Sequence, residues 1–143
     1  MQELHGYYLE DLEVGMSASY AKTITDADVM LFAGISGDNN PIHINDEYAQ
    51  GTPFKQRIVH GMFSAALIST VAGTRLPGPG AIYIDQQLKF KAPVHIGDTA
   101  RASLTVTDID TQRRRVKCRT DVHVGETLVA TGEGTFMVDR RGG

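Results

Sequence analysis

The sequence is poor in cysteine and has no long apolar run. Cys118 is the only cysteine in 143 residues, so neither an internal disulfide nor a four-cysteine metal site can form. The most apolar stretch, MFSAALISTVAG at residues 62–73, is shorter than the roughly 20 residues that a bilayer-spanning helix needs. The sequence also lacks a Walker-type phosphate loop and a G-x-S-x-G nucleophile motif. These absences count against disulfide-rich, membrane-spanning, P-loop and serine-hydrolase classes.

Charge of neither sign is in large excess. The formal net charge is −3 at pH 7, which gives no reason to expect nucleic acid or a membrane as a partner. Apolar residues make up 41% and charged residues 22%, as in average globular proteins, and this excludes disordered and fibrous classes. The stretch MQELHGYYLEDLEVG at the start is acidic and interrupted, unlike a signal or transit peptide. We therefore expect a cytoplasmic protein with a single domain over residues 1–143.

The first half of the chain carries the signals of turns and helices. Thr25 and Asp28 form a capping-box pattern at the start of a helix that Gly37 ends. Four apolar residues within it recur at helical spacing: Ala27, Met30, Leu31 and Ile35. A short turn of helix is expected around NDEYAQG, residues 45–51. Residues 60–76 are the strongest helical candidate, and they are apolar nearly all round, as is typical of a buried helix.

The second half of the chain changes to a period of two. Four segments alternate or are rich in β-formers: residues 81–94, 99–109, 112–124 and 126–138. In the third segment, one face alternates with a polar face: Val116, Cys118, Thr120, Val122 and Val124 against Lys117, Arg119, Asp121 and His123. The stretches IGD and VGE, at 96–98 and 124–126, suit tight reversals and predict antiparallel neighbours.

The order of the elements predicts the fold class. Helices first and long strands afterwards indicate an α+β fold. A sheet with one apolar face and a helix that is apolar all round can bury each other's apolar surface if the sheet curls around the helix. This arrangement is a hot-dog fold. The sheet edges and the flanks of such a helix are usually covered by a second copy, so we expect a homodimer.

The stretch GDNNPIH, residues 37–43, is the first candidate for chemistry. On a continuous helix Asp38 and His43 would point about 140° apart, at roughly 100° per residue. Pro41 prevents a helix through the stretch and pushes Asn40 toward an extended conformation. We therefore expect a rigid turn in which Asp38 and His43 can converge as an acid–base pair. The same residues also suit an ordinary polar turn, with Asp38 as a cap and His43 without a chemical role.

The stretch RIVHGM, residues 57–62, is the second candidate. Gly61 lies at the predicted start of the buried helix, where the first N–H groups lack partners and the dipole favours negative charge. A glycine there lets a ligand oxygen that gains negative charge approach the backbone, although a helix can also begin at a glycine without any function. His60 could join Asp38 and His43 as a two-His, one-carboxylate metal site. No two of these ligands share a helical face at the i, i+4 spacing of metal-binding helices, so we expect no metal.

Together and in this order, DNNPIH and RIVHGMFSAALIS resemble the MaoC-like hydratases, most closely the single-domain (R)-specific enoyl-CoA hydratases. The later stretch GPGAIYIDQQLKFKAPVHIGDT is similar to the strand that follows the central helix of that family. The resemblance runs from about Thr23 to Thr99, with compatible strands after it. It implies a hot-dog fold, a homodimer, and hydration of trans-2-enoyl-CoA to (R)-3-hydroxyacyl-CoA without a metal or redox cofactor.

The resemblance also implies roles for individual residues. Asp38 and His43 fall on the catalytic pair of the family, and Gly61 falls on the backbone donor to the thioester carbonyl. Ser69 falls on a serine near the acyl group and the catalytic water. Ala72 is small and lies in the stretch that corresponds to the acyl pocket, which leaves room for an acyl chain of more than four carbons. The implied partner is an acyl-CoA thioester.

Two other functions stay open at this point. A hot-dog acyl-CoA thioesterase also needs a thioester site and a carboxylate, and it would release free CoA thiol from saturated acyl-CoA. A non-catalytic acyl-CoA-binding subunit would bind the thioester without turnover. The Asp-x4-His pair followed by HGM favours the hydratase over the thioesterase, and the intact Asp38 and His43 favour it over the binding subunit.

Overall fold

Helices dominate the first half of the chain and long strands the second. The computed structural model describes residues 1–143, with short 3₁₀ turns at Gln2–Leu4 and Leu9–Asp11. The main elements in chain order are β1 (Ser17–Thr23), α1 (Asp26–Ser36), α2 (Pro41–Ile44), α3 (Asp46–Gln50), α4 (Gly61–Thr74), β2 (Ile82–Phe90), β3 (Thr99–Asp110), β4 (Arg115–Val124) and β5 (Thr127–Met137). None of the helices combines the length and the apolar character needed to traverse a lipid bilayer. The α+β class is confirmed.

All the strands join one five-stranded antiparallel sheet in the order β1-β3-β4-β5-β2. Gly125 and Glu126 connect β4 to β5, and Gly125 has the positive φ of 59° that such a tight hairpin requires. The reversal predicted from VGE is therefore confirmed. The strands β1 and β2 have a neighbour on one side only, so each presents an open edge.

The inner face of the sheet packs on α4, as the hot-dog expectation requires. The helix contacts β3 most extensively and also reaches β1 and β4. Its buried residues are Phe63, Ser64, Leu67, Ile68, Val71 and Ala72. Burying a side chain such as Leu67 stabilises the fold by about 1.5–3 kcal/mol, so this interface contributes strongly. The alternation predicted for β4 is also confirmed, because four of the five predicted inward residues are fully buried: Val116, Cys118, Thr120 and Val122. The fifth, Val124 at the end of the strand, is only partly buried.

The strand β1 is not predicted by the sequence. Its residues, SASYAKT, are mostly small or polar and do not alternate clearly. Its one neighbour is β3, where Ser17 pairs with Thr105 and Thr23 pairs with Thr99. Partners this distant along the chain determine the strand, and local patterning does not reveal them.

The helix α1 is predicted correctly, but its packed face is not the one that the apolar spacing suggests. The capping box at Thr25 and the left-handed end at Gly37 are both present. The four apolar residues at helical spacing are all exposed: Ala27, Met30, Leu31 and Ile35. The helix lies outside the sheet and packs through a narrow strip that includes Val29 and Ala33.

Candidate active site

The segment after α1 places the first two candidate residues. The sequence predicts a turn without helix here, but Pro41 instead begins the single-turn helix α2. Proline suits this first position because the missing N–H would have no intrahelical acceptor there. Asn40 caps the helix, since its Oδ1 accepts a hydrogen bond from the Ile42 N–H at 3.1 Å. Pro41 still keeps α2 separate from α1, so the chain turns between Asp38 and His43.

The ring of His43 is fixed by the backbone. The residue is 8% exposed, and its Nδ1 lies 2.7 Å from the Ile58 carbonyl oxygen. A carbonyl oxygen can only accept, so Nδ1 carries the proton and Nε2 of the neutral ring keeps its lone pair. An imidazole held in this tautomer is suited to accept a proton from water.

Asp38 lies in the turn before α2 with an exposed side chain. Its N–H donates to Ser36 Oγ at 3.1 Å, and its Oδ1 accepts from the Asn40 N–H at 3.4 Å. Ligand atoms of Asp38, His43 and His60 all lie within 4.8 Å of one another. The structure therefore brings the sequence-predicted pair together, at a separation that one water molecule can bridge.

His60 packs directly against this pair. Its Nε2 donates to the main-chain oxygen of Asp38 at 2.8 Å. Its ring stacks on that of His43, with the centroids 3.9 Å apart and 26° between the planes. One nitrogen of each ring is already engaged by a backbone oxygen, that of Ile58 for His43 and that of Asp38 for His60, so each ring has one nitrogen left for any other partner.

Arg57 joins the helices around the site, and sequence reasoning did not single it out. Its guanidinium, 12% exposed, pairs with the carboxylates of Asp26 and Asp46 at 2.9 Å each. It also donates to the main-chain oxygen of His43 at 3.3 Å. Ion pairs with exposed carboxylates contribute only about 0–1 kcal/mol each, but these contacts together connect α1, α2 and α3.

The start of α4 supplies the third candidate group. Gly61 is the first residue of the helix, and the preceding His60 provides no side-chain cap. No backbone acceptor of the chain receives the Gly61 N–H. Gly61 lines a cavity of about 300 Å³ together with His60, Ser64 and Phe90. A Cβ on Gly61 would lie 3.1 Å from the Phe90 ring, so the glycine leaves room at a crowded place.

Ser69 and Ala72 lie elsewhere on α4. They line a second cavity of about 140 Å³, whose wall also includes Tyr83. At a rise of roughly 1.5 Å per residue, Ser69 is about 12 Å along the helix from Gly61. Within one chain, Ser69 and Ala72 are therefore separated from the cavity that Gly61 lines.

Two other titratable side chains, the partly buried Tyr83 and the fully buried Cys118, are poorly suited to acid–base work. Burial raises the pKa of the Tyr83 phenol to about 12 and that of the Cys118 thiol to about 12. Both groups keep their protons at neutral pH. Neither group adds to the predicted acid–base pair of Asp38 and His43.

The MaoC like domain family matches residues 11–128 of the chain. The chain belongs to this MaoC-like family. It is 57% identical over 136 residues to the (R)-specific enoyl-CoA hydratase of Rhodospirillum rubrum, covering 95% of this chain and 94% of the relative. It is 46% identical over 141 residues to the 3-hydroxybutyryl-CoA dehydratase of Methylorubrum extorquens, covering 99% and 90%. The unliganded R-hydratase PhaJ1 from Pseudomonas aeruginosa superimposes with a TM-score of 0.90 at 42% identity, over 94% of this chain and 87% of that one.

Two lining residues of this MaoC-like chain escape sequence reasoning. Ser64 follows Gly61 at i+3, so both lie on one face of α4, and that spacing is a signal that the sequence does contain. Phe90 lines the cavity at Gly61 and also a neighbouring cavity of about 420 Å³ that contains Met62 and Leu88. Phe90 begins the aromatic-Lys-x-Pro pattern that resembles the family's strand, but that pattern does not show its place at the cavity, which depends on β2 folding back beside α4.

Proposed function

We propose that the chain catalyses the reversible addition of water to trans-2-enoyl-CoA, which gives (R)-3-hydroxyacyl-CoA. The observation that carries this proposal is the convergence of Asp38 and His43 beside the uncapped start of α4, with His60 in contact with both residues. The identity of 57% to an (R)-specific enoyl-CoA hydratase over 95% of the chain supports the same activity. The proposed substrate is accordingly an acyl-CoA thioester.

Water is the nucleophile in this reaction. The Asp38 carboxylate and His43 Nε2 accept hydrogen bonds from one water, direct its oxygen at Cβ and remove a proton. As the new C–O bond forms at Cβ, the π pair of the double bond moves through Cα onto the thioester oxygen. The removed proton returns to Cα from the same pair, so the atoms and charges balance without a cofactor. A positioned acid or base of this kind contributes about 10²–10⁴-fold to the rate.

The Gly61 N–H stabilises the negative charge that this step creates on the thioester oxygen. The thioester oxygen becomes an enolate oxygen, and it would lie at the free N–H and the positive end of the α4 dipole. The interaction is stronger in the transition state than with the neutral carbonyl, which is the condition for catalysis. Removing one donor of this type costs about 10²–10³-fold in turnover.

A spectrophotometric assay with crotonyl-CoA tests the function. We expect loss of the enoyl absorbance, a product of (R) configuration, no release of CoA thiol, and no comparable activity in folded Asp38→Asn. Thiol release from saturated acyl-CoA would instead identify a thioesterase. Binding of acyl-CoA without turnover of any enoyl chain length would identify a non-catalytic subunit, and either result would contradict the proposal.

The assembly that we propose is a homodimer paired along the open edge of β2. Four apolar side chains of this strand are exposed: Ile82, Tyr83, Ile84 and Phe90. Met62 on α4 is 60% exposed and lines a cavity with Tyr83 and Phe90 of that strand. An apolar open edge is normally covered, and a two-fold related copy would cover both surfaces at once.

Light scattering on a sizing column tests this assembly. We expect the wild-type chain to have twice the monomer mass and Ile84→Glu to shift it toward the monomer. Ile35→Glu is the matched control, because Ile35 is an isoleucine on α1 that is 83% exposed and lies outside the proposed surface. A monomeric wild-type chain, or an unchanged mass for Ile84→Glu, contradicts the proposed pairing.

The cytoplasmic location also belongs to the proposal. Fractionation of cells that express the tagged chain should place it with cytoplasmic markers. Recovery of the chain with membranes or outside the cell would contradict it.

A further inference from the structure

His60 connects all the parts of the proposed site. It directly precedes Gly61, the first residue of α4. Its Nε2 holds the main-chain oxygen of Asp38 at 2.8 Å, and its ring lies 3.9 Å from that of His43. One side chain therefore contacts the backbone of one proposed catalytic residue and the ring of the other, at the point where the helix with the third group begins.

The contacts of His60 are sheltered from solvent. The residue is 2% exposed, and Phe32 packs against its ring at 4.9 Å between centroids. Because the Asp38 carbonyl can only accept, Nε2 is the donor, and Nδ1 is left buried without any partner. A phenylalanine would fill this space without burying an unpaired nitrogen, so histidine is a costly choice for packing alone. What histidine adds is the hydrogen bond to Asp38.

The other hydrogen bonds that hold the turn of Asp38 come from its neighbours in sequence, such as the bond from the Asp38 N–H to Ser36 Oγ at 3.1 Å. The Asp38 side chain is exposed, and its own bond to the Asn40 N–H is long, at 3.4 Å. The hydrogen bond from His60 is the short and buried contact between this turn and the start of α4. Loss of that bond would free the Asp38 backbone to move relative to His43 and Gly61.

We propose that His60 is a positioning residue for the hydration reaction. It fixes the backbone of Asp38 and the ring of His43 in one arrangement relative to the Gly61 N–H, and it acts through those groups. The inference rests on the proposed function and goes further, because it assigns a role to a residue that contributes no group to the chemical step. Misplacing a reacting group by about 1 Å can cost roughly 10²-fold in rate, which is the size of effect expected here.

Two substitutions separate the two contacts of His60. His60→Phe keeps an aromatic ring over His43 and removes the donor, whereas His60→Gln removes the ring and keeps an amide donor for Asp38. We expect kcat to fall about 10²-fold in His60→Phe while KM changes little, and we expect His60→Gln to recover much of that loss. His60→Leu, which also lacks a donor, replaces the phenylalanine variant if that variant does not fold.

His5 provides a matched control. It too stacks on an aromatic ring, that of Tyr8 at 4.0 Å, contacts a backbone carbonyl, and has a buried nitrogen without a hydrogen bond, although Asp139 Oδ2 lies 3.6 Å from it. It lies against Gly80, beyond the opposite end of α4. His5→Phe should therefore leave kcat unchanged, whatever it does to the melting temperature.

The experiment measures crotonyl-CoA turnover, thermal unfolding and the backbone amide NMR signals of residues 37–40 and 42–43 in each variant, since Pro41 has no N–H. The proposal predicts that kcat falls and these signals shift in His60→Phe, and that His60→Gln moves both back toward the wild type. It is overturned if folded His60→Phe keeps its kcat, or if the phenylalanine and glutamine variants lose kcat equally. A wild-type chain without turnover contradicts the proposed function instead. The NMR signals then decide the positioning role alone, and unchanged signals in His60→Phe reject it.

Discussion

The two longest helices of this chain begin in opposite ways. At the start of α1, Thr25 Oγ1 accepts the Asp28 N–H at 3.1 Å, and Asp28 Oδ2 accepts the Thr25 N–H at 2.9 Å. At the start of α4, no side chain caps the helix before Gly61. The first helix end is closed by its own residues, and the second is open to an external acceptor.

The capped start of α1 contributes to stability, whereas the uncapped start of α4 is available for chemistry. A side-chain cap typically stabilises a protein by about 1 kcal/mol, so α4 forgoes a contribution that α1 receives. The extensive burial of α4 against the sheet offsets that omission. In return, the open end keeps an N–H and a positive dipole available for an oxygen that becomes negatively charged. Substitutions at the two helix starts should therefore affect different observables.

The largest effect is expected at the pair beside the open end. His43→Gln removes the ring nitrogen that is proposed to accept the proton from water but keeps a polar side chain of similar length. We expect kcat for crotonyl-CoA hydration to fall about 10²–10⁴-fold with little change in melting temperature. Near-normal turnover by the folded variant would show that the open helix end works without this base.

A smaller effect, on stability instead of turnover, is expected at the capped start of α1. Thr25→Ala removes the side-chain oxygen that caps α1, and we expect it to lower the free energy of unfolding by about 1 kcal/mol. Urea unfolding at one fixed protein concentration measures this change, because the proposed dimer would make stability depend on concentration. The kcat should match that of the wild type. A loss of turnover like that of His43→Gln would mean that the two helix starts are not separable.

The smallest expected effect is the pH dependence of the stability that Asp28 contributes at the start of α1. The Thr25 backbone N–H, followed by the Thr25 side chain and Lys22, holds the pKa of Asp28 below its ordinary value of 3.8, against an opposing effect of burial. A lowered pKa in the folded state means that the stabilisation is complete above the unfolded pKa and disappears as the pH falls through the folded one. The stability difference between wild type and Asp28→Asn should therefore be constant above about pH 5 and shrink in more acidic solution. A difference that grows on acidification would contradict this sign.

Much of the fold can be predicted from local patterns. The capping box of α1, the apolar segment of α4 and the alternation in β4 are each visible within a dozen or so residues, and the structure confirms them. The strand β1 and the exposed face of α1 are not visible locally. β1 is a strand because it pairs with distant β3, and α1 buries Val29 and Ala33 because of where the fold places it. That all the residues form one domain stays a prediction.

The candidate site is predictable where it depends on short motifs. The turn at Pro41 and the helix start at Gly61 indicate that Asp38, His43 and a free N–H are available, although the one-turn helix α2 is missed. The sequence suggests His60 only as a possible metal ligand beside them. It does not show the hydrogen bond from the His60 ring to the Asp38 carbonyl, because the two residues lie far apart along the chain. Side chains that hold other groups in place are harder to recognise than those that react, because their signal is a contact and not a motif.

The open start of α4 is proposed to stabilise the enolate oxygen through the Gly61 N–H. Gly61→Ala and Gly61→Pro both add a Cβ beside Phe90, but only proline removes the N–H. Proline fits this first helical position, because His60 already has the extended φ of −54° and ψ of 135° that a residue before proline adopts. The decisive measurement is the ratio of kcat between the two folded variants with crotonyl-CoA. We predict that the proline variant is about 10²–10³-fold slower than the alanine variant, and equal values would contradict the claim.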